Sequence, residues 1–238
     1  MTQSHNTNSV AIVTGASRGF GRAVTAALLG RGWTVVGDAR RTEDLETTAQ
    51  ELNSARLITL AGDVTDVSHR DALVGAAVDA GPLRLLVNNA SRLGPSPQPA
   101  LADYPAGELR AVYNTNLFAP LALIQAALPA LTGNAGVIVN LTSDAAVEPY
   151  PGWGGYGSSK AALDQLSAVL AAEVAAVPVY AFDPGDMRTE MHQAAFPGED
   201  ISDRAEPESV VPALLHLLDT QPAAGRYRAA DLLAGARQ

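Results

Sequence analysis

The chain has 238 residues, 47% hydrophobic and 17% charged, with a formal net charge of −9. That length favours one domain, and the acidity argues against binding to a nucleic-acid phosphate backbone. The absence of cysteine excludes disulfides, thiolate metal sites and a cysteine nucleophile. The first nine residues are polar, without the apolar core of a signal peptide, and no apolar run approaches the length of a bilayer span, so a cytoplasmic protein with no membrane or nucleic-acid partner is expected.

Short strand-like runs alternate with longer helical ones. Residues 9–14 (SVAIVT) lead into a glycine-rich turn, and 21–30 read as the helix that follows. Strands at 34–37, 56–61 and 83–87 alternate with helices at 43–52 and 68–78. Then come a long helix at 107–131, a strand at 136–141, an alanine-rich helix at 157–176, a strand at 178–182, a helix at 207–218 and a short edge strand at 226–230. Strands separated by helices of this length imply right-handed crossovers and a mostly parallel sheet. Near-continuous apolar strands imply a sheet covered on both faces. The expected architecture is a single doubly wound α/β domain. Two segments break the alternation, a proline-rich stretch near 92–105 and a long connection near 186–206. Both follow strands, which places them at the carboxyl edge as a substrate loop and a lid.

Thr14–Gly21 reads TGASRGFG. Glycines 15, 19 and 21, between a strand and a helix, permit a tight turn and close backbone approach to a pyrophosphate at the helix N-terminus. No Lys-Ser/Thr pair follows Gly21, so a triphosphate-binding loop of the Walker type is not expected. The second strand ends in GDARR. An acidic residue there would hold a ribose 2′-hydroxyl, whereas arginine would accommodate a 2′-phosphate. Counted from Val35 and Val36, Ala39 occupies the acidic position, Asp38 falls one place early and Arg40 follows. With Arg18 approaching from the loop, this favours NADP(H), NAD(H) remaining open; alternatively Arg40 and Arg41 merely solvate a loop.

Tyr156 and Lys160 are spaced i, i+4 on one helical face. A phenol has a pKa of about 10, and making it useful near neutrality means lowering this by roughly three units, or about 4 kcal/mol. A neighbouring ammonium and a positively charged nicotinamide act in that direction. Ser143 ends the fifth strand, where its hydroxyl can polarise a carbonyl. Asn116 lies inside the long helix, either holding a relay water or as a satisfied core amide.

These motifs, with Asn88-Asn89-Ala90 and Pro184-Gly185, stand in the order and spacing of the short-chain dehydrogenase/reductase family, which the chain resembles from about residue 10 to 232. The resemblance implies a Rossmann fold and a tetrad of Asn116, Ser143, Tyr156 and Lys160. Tyr156 would be the general acid or base, Ser143 would hold the substrate oxygen, and Tyr156 and Lys160 would also bind the cofactor, Lys160 at the nicotinamide ribose. It further implies a cofactor cradle from the loop (Gly15, Ser17, Arg18, Gly19, Phe20, Gly21), Arg40, Asp63 and Val64 at the adenine, Asn89 and Ala90 along the adenosine, and Pro184, Gly185 and Thr189 at the carboxamide. A homodimer or homotetramer is also implied. Three features depart from the family pattern: Ser91 in place of a glycine, Asp183 in place of a small residue, and a C-terminal end (GRYRAADLLAGARQ) without the frequent glycine-rich strand ending.

Tyr150, Trp153, Met187, Met191 and Phe196 flank the crevice and either line an apolar substrate pocket or pack the lid. The four histidines show no metal spacing, and His192 reads as ordinary lid surface. The expected activity is hydride transfer between NADP(H) and a small-molecule carbonyl or secondary alcohol, with a ketone reductase or alcohol dehydrogenase in view. An epimerase or dehydratase variant and a nucleotide-sensing protein of the same fold are the alternatives.

Overall fold

The structure, a computed structural model, describes residues 9–235. The polar stretch 1–8, with His5, lies outside them. Seven strands, β1 (Val10–Val13), β2 (Thr34–Ala39), β3 (Leu57–Ala61), β4 (Leu83–Asn88), β5 (Val137–Leu141), β6 (Val179–Asp183) and β7 (Gly225–Arg228), form one sheet in the order β3-β2-β1-β4-β5-β6-β7. Every pairing is parallel, which makes the sheet wholly rather than mostly parallel. The edge strand expected at 226–230 is β7, which starts one residue earlier and ends two earlier.

Both faces are covered, as the apolar strands require. Ala11 and Val13 face a core built with Phe20, Val24 and Leu28 of α1 (Gly19–Gly30) and Val210, Leu214 and Leu217 of α8 (Pro207–Thr220). Val10 and Ile12 face the other core, with Leu73 and Ala77 of α3 (Val67–Ala80) and Leu123, Ile124 and Leu131 of α5 (Ala119–Gly133). α2 (Thr42–Leu52) packs on β3 and β2 at one end of the sheet.

The expected long helix is present over 106–133, but in three pieces: α4 (Ala106–Tyr113), a π-helical turn (Asn114–Phe118) and α5. It is long and apolar enough by composition to cross a membrane, which corrects the expectation that no run approaches a bilayer span. Part of it is core all the same, because Leu123, Ile124 and Ala127 pack against the sheet. The alanine-rich helix α6 (Gly154–Glu173) begins three residues earlier than expected, so Tyr156 sits inside its first turn. The lid contains one short helix, α7 (Glu190–Ala195), and α9 (Ala229–Gly235) ends the described chain.

Chain order reverses between β1 and β4, so their following loops diverge and leave a crevice at the carboxyl edge. Ile138 of β5 is fully buried beneath α5's side of the sheet. Ile138→Ala is expected to lower the unfolding free energy by about 3 kcal/mol in urea titration; a change below about 0.5 kcal/mol, the range of surface substitutions, would contradict this core.

Candidate active site

A cavity of about 850 Å³ occupies that crevice, running from Arg40 and Asp63 to Tyr156, Lys160 and Pro184. Its floor is built by a polar seam at the strand ends. The Thr14 hydroxyl accepts the backbone N–H groups of Asn89 and Ala90, both at 2.9 Å, while the Asn89 amide donates to the carbonyls of Thr14 at 2.8 Å and Gly15 at 3.2 Å. Asn89 thus shapes the loop with its side chain. Gly15 has φ +67°, and a Cβ there would come within 3.0 Å of the Asn89 amide nitrogen. A Cβ on Gly21 would run into the Gly15 carbonyl. The loop therefore leaves its concave side clear and aims the N-terminus of α1 into the cavity, a geometry suited to a pyrophosphate.

The GDARR ambiguity is resolved by direction. Asp38 is buried, its Oδ1 accepting the Gly15 N–H at 2.7 Å and its Oδ2 lying 3.1 Å from His69 Nε2. Burial pushes its carboxyl above the usual range, with His69 and Gly15 opposing that. Asp38 is thus a brace for the glycine loop, and β2 ends at Ala39 with Arg40 on the cavity wall. Among the described residues, no carboxylate lies within ion-pair distance of Arg40. At Asp63, burial opposes the charge, but the Thr65 N–H (2.8 Å) and Arg40 overcome it and hold the carboxyl below its usual value. Arg18 borders the same cavity but is ion-paired with Glu190 of α7, and Arg41 pairs with Asp44. The expected convergence of two arginines is therefore reduced to Arg40, with Arg18 engaged by the lid. Ser17, Gly19, Phe20, Val64, Ala90 and Thr189 also line the cavity, whereas Gly21 lies behind the loop and Gly185 outside the lining.

At the other end stands Lys160, the sole lysine of the sequence. It is 2% exposed, its Nζ donating to the Leu141 carbonyl at 2.8 Å and lying 5.5 Å from the centre of the Tyr156 ring. Burial lowers its pKa to about 8, opposed by Asp164 one helical turn further on. For Tyr156, burial is again the largest influence and raises the phenol, as do Asp183 and Asp144, while the Ser91 and Ser143 hydroxyls ease it. The expected lowering is not found in the protein alone, where burial holds Tyr156 as a protonated phenol.

Ser143 caps a short 3-10 turn (Asp144–Ala146), donating to Asp144 Oδ1 at 2.9 Å and accepting from the Ala145 N–H at 3.2 Å. Asn116 lies in the π turn, fully buried. Its Oδ1 accepts from the Arg92 N–H (2.8 Å) and the Ser91 hydroxyl (3.2 Å), and its Nδ2 donates to the Arg92 carbonyl (3.0 Å) and the Ser159 hydroxyl (2.9 Å). The side-chain amide is satisfied in full. Of the two readings of Asn116, the geometry matches the satisfied core amide, and what it fixes is the segment carrying Ser91 beside Tyr156. Ser91 lines the cavity although sequence reasoning assigned it no role; the signal available was a hydroxyl where the family commonly has glycine.

Met187 and Met191 line the cavity. Tyr150, Trp153 and Phe196 do not; they form an aromatic ladder. Trp153 packs on Tyr150 (ring centres 6.4 Å apart), Tyr156 (5.8 Å) and Phe196 (5.8 Å), and Phe196 packs on His192 (4.9 Å). The ladder docks the lid over Tyr156, which is the lid-packing alternative. Tyr150 donates to Asp144 Oδ2 at 3.0 Å, and that bond raises its phenol. His192 is buried rather than ordinary surface, accepting from Arg204 Nε at 3.4 Å. Among the described residues there is no cluster of metal-ligating side chains.

A glycine loop at the first strand–helix turn, a buried lysine beside a phenol and a serine hydroxyl, all on one crevice of a parallel sheet, define a dinucleotide-dependent oxidoreductase. A profile described as short chain dehydrogenase matches residues 9–200, and the chain belongs to that family. It is 37% identical over 185 residues to a serine 3-dehydrogenase of Agrobacterium fabrum, covering 75% of this chain and 72% of that one. It is 35% identical over 202 residues to the sepiapterin reductase of Meriones unguiculatus, covering 79% and 77%. A short chain dehydrogenase structure from Shigella flexneri, in complex with NADP, superposes with a TM-score of 0.86 at 29% identity, covering 94% of this chain and 97% of that one.

Because Lys160 is the sole lysine, protein labelled with ¹³C-lysine gives a single side-chain Cε resonance. That resonance is expected to titrate with a midpoint near 8, the value set by burial; a midpoint at the ordinary lysine value of 10.5 would contradict the buried placement.

Proposed function

We propose that the protein is an NADP(H)-dependent carbonyl reductase, or secondary-alcohol dehydrogenase in the reverse direction, acting on a small molecule. The observation that carries this is the juxtaposition of Tyr156, held protonated by burial, with the buried ammonium of Lys160 at the inner end of the cavity.

The residues present fit the cofactor. The glycine loop and α1 N-terminus suit the pyrophosphate, Arg40 the 2′-phosphate, Asp63 and Val64 the adenine, Lys160 the nicotinamide ribose, and the turn at Pro184–Gly185 with Thr189 the carboxamide. The nicotinamide supplies the hydride. Tyr156 gives its proton to the substrate oxygen as the carbon is reduced, and Ser143 donates a hydrogen bond to the same oxygen. The phenolate left behind is stabilised by the Lys160 ammonium. In the oxidative direction the phenolate must form first, and the positive charge of the oxidised nicotinamide joins Lys160 in favouring it. Met187 and Met191 line the substrate end under the lid. Support for NADP(H) over NAD(H) comes from Arg40 at the end of β2 and from the NADP in the related Shigella structure. Family kinship supports a homo-oligomer.

Tyr156→Phe is expected to lower kcat for carbonyl reduction by at least about 10²-fold, the size of a general-acid contribution, in steady-state assays with NADPH. Arg40→Ala is expected to weaken NADPH but not NADH binding by roughly tenfold or more, as for a lost charged hydrogen bond, in a fluorescence titration. Equal binding of both cofactors, indifferent to Arg40, would contradict the NADP(H) assignment.

A further inference from the structure

Two of the departures from the family pattern meet in space. Asp183 precedes Pro184–Gly185 at the end of β6, and Arg226 belongs to the C-terminal segment, in β7. The Arg226 guanidinium donates from one terminal nitrogen to Asp183 Oδ2 at 2.8 Å and to the Ser143 carbonyl at 3.0 Å, and from Nε to Asp164 Oδ2 at 3.1 Å. The second oxygen of Asp183 accepts the Gly185 N–H at 3.0 Å, closing the turn in which Gly185 adopts φ +74°.

A single planar cation thus joins three elements. Asp164 lies one helical turn beyond Lys160 on α6, the helix that carries Tyr156. Ser143 lies two residues beyond β5, and Asp183 starts the turn that faces the nicotinamide end of the cavity. We propose that Arg226 is a positioning residue: it sets the Ser143 backbone and the Pro184–Gly185 turn relative to Tyr156 and Lys160, with Asp183 and Asp164 as its acidic partners. The inference rests on Ser143, Tyr156 and Lys160 being the reacting groups.

The chemistry favours a matched pair. The Asp183 side chain is 4% exposed, and a carboxyl group so buried requires partners for both oxygens. A small residue at that position would need no such partner, so the acid and the arginine account for each other. The arrangement also needs arginine rather than lysine, since three acceptors in different directions suit a rigid fork of donors and not a single ammonium. Because β7 is an edge strand paired only with β6, Arg226 ties the outermost strand to the reacting groups.

The test compares wild type, Arg226→Gln, Arg226→Lys and the double variant Asp183→Asn/Arg226→Gln. It reads steady-state kinetics with NADPH and a carbonyl substrate, NADPH affinity, and hydrogen–deuterium exchange by segment. Arg226→Gln is expected to lower kcat by roughly tenfold or more, the scale of a small misplacement of reacting groups. NADPH affinity should fall by a smaller factor than kcat, because the glycine loop and Arg40 are untouched. Exchange should quicken in segments 141–146 and 183–189 while α1 and α8 keep wild-type rates. Arg226→Lys should recover thermal stability more than kcat, and the double variant should be no slower than the Arg226→Gln single. Wild-type kcat in a folded Arg226→Gln protein would overturn the proposal, as would exchange that is unchanged or uniformly faster. If wild type turns over no carbonyl, the oxidoreductase roles fail separately; faster exchange confined to the two segments still supports the positioning role, and its absence overturns it.

Discussion

The burial of the Lys160 ammonium beside the Tyr156 phenol makes the demand that the rest of the site meets. A cation 2% exposed needs acceptors and a compensating charge. It has the Leu141 carbonyl in contact and Asp164 one helical turn away, and Asp164 is itself engaged by Arg226. The same burial moves the two groups in opposite senses, the ammonium down to about 8 and the phenol up. Near neutral pH the protein alone therefore presents a charged lysine and a protonated tyrosine, the state from which a carbonyl oxygen can be protonated.

The parallel sheet brings the partners together. Every strand delivers its carboxyl end to one edge, so residues from β1, β2, β4, β5 and β6 converge without any long connection having to cross the core. The reversal between β1 and β4 opens the crevice, and the Thr14–Asn89 seam keeps its two sides in register. At one end of the crevice the Asp38 brace fixes the loop and leaves Arg40 on the wall. At the other end the Asp183–Arg226 pair joins β6 to β7.

What was legible in the sequence is what local spacing encodes. Apolar runs and glycine turns located all seven strands to within one or two residues, and the i, i+4 spacing placed Lys160 beside Tyr156. Contacts between distant residues were not legible. Nothing local shows that Asp38 turns inward to Gly15, that Asn116 lies in a π turn with its amide fully bonded, or that Asp183 faces a residue 43 positions later. The start of α6 was missed because Gly154 and Gly155 are weak helix formers, and there the contact with Leu101 and Tyr104 decides instead. Two of the three departures, Asp183 and the Arg226 segment, proved to be one interaction, and the third, Ser91, stands beside the phenol.

The most direct test of the account is an ultraviolet difference titration of tyrosinate, wild type minus Tyr156→Phe, without and with the oxidised dinucleotide. Burial raises this phenol above its ordinary value of 10, so the free protein should show no ionisation of Tyr156 below pH 10, and the bound cofactor's positive charge should bring the ionisation to lower pH. Ionisation of Tyr156 below pH 10 in the free protein, or a midpoint that oxidised cofactor leaves unmoved, would contradict the account.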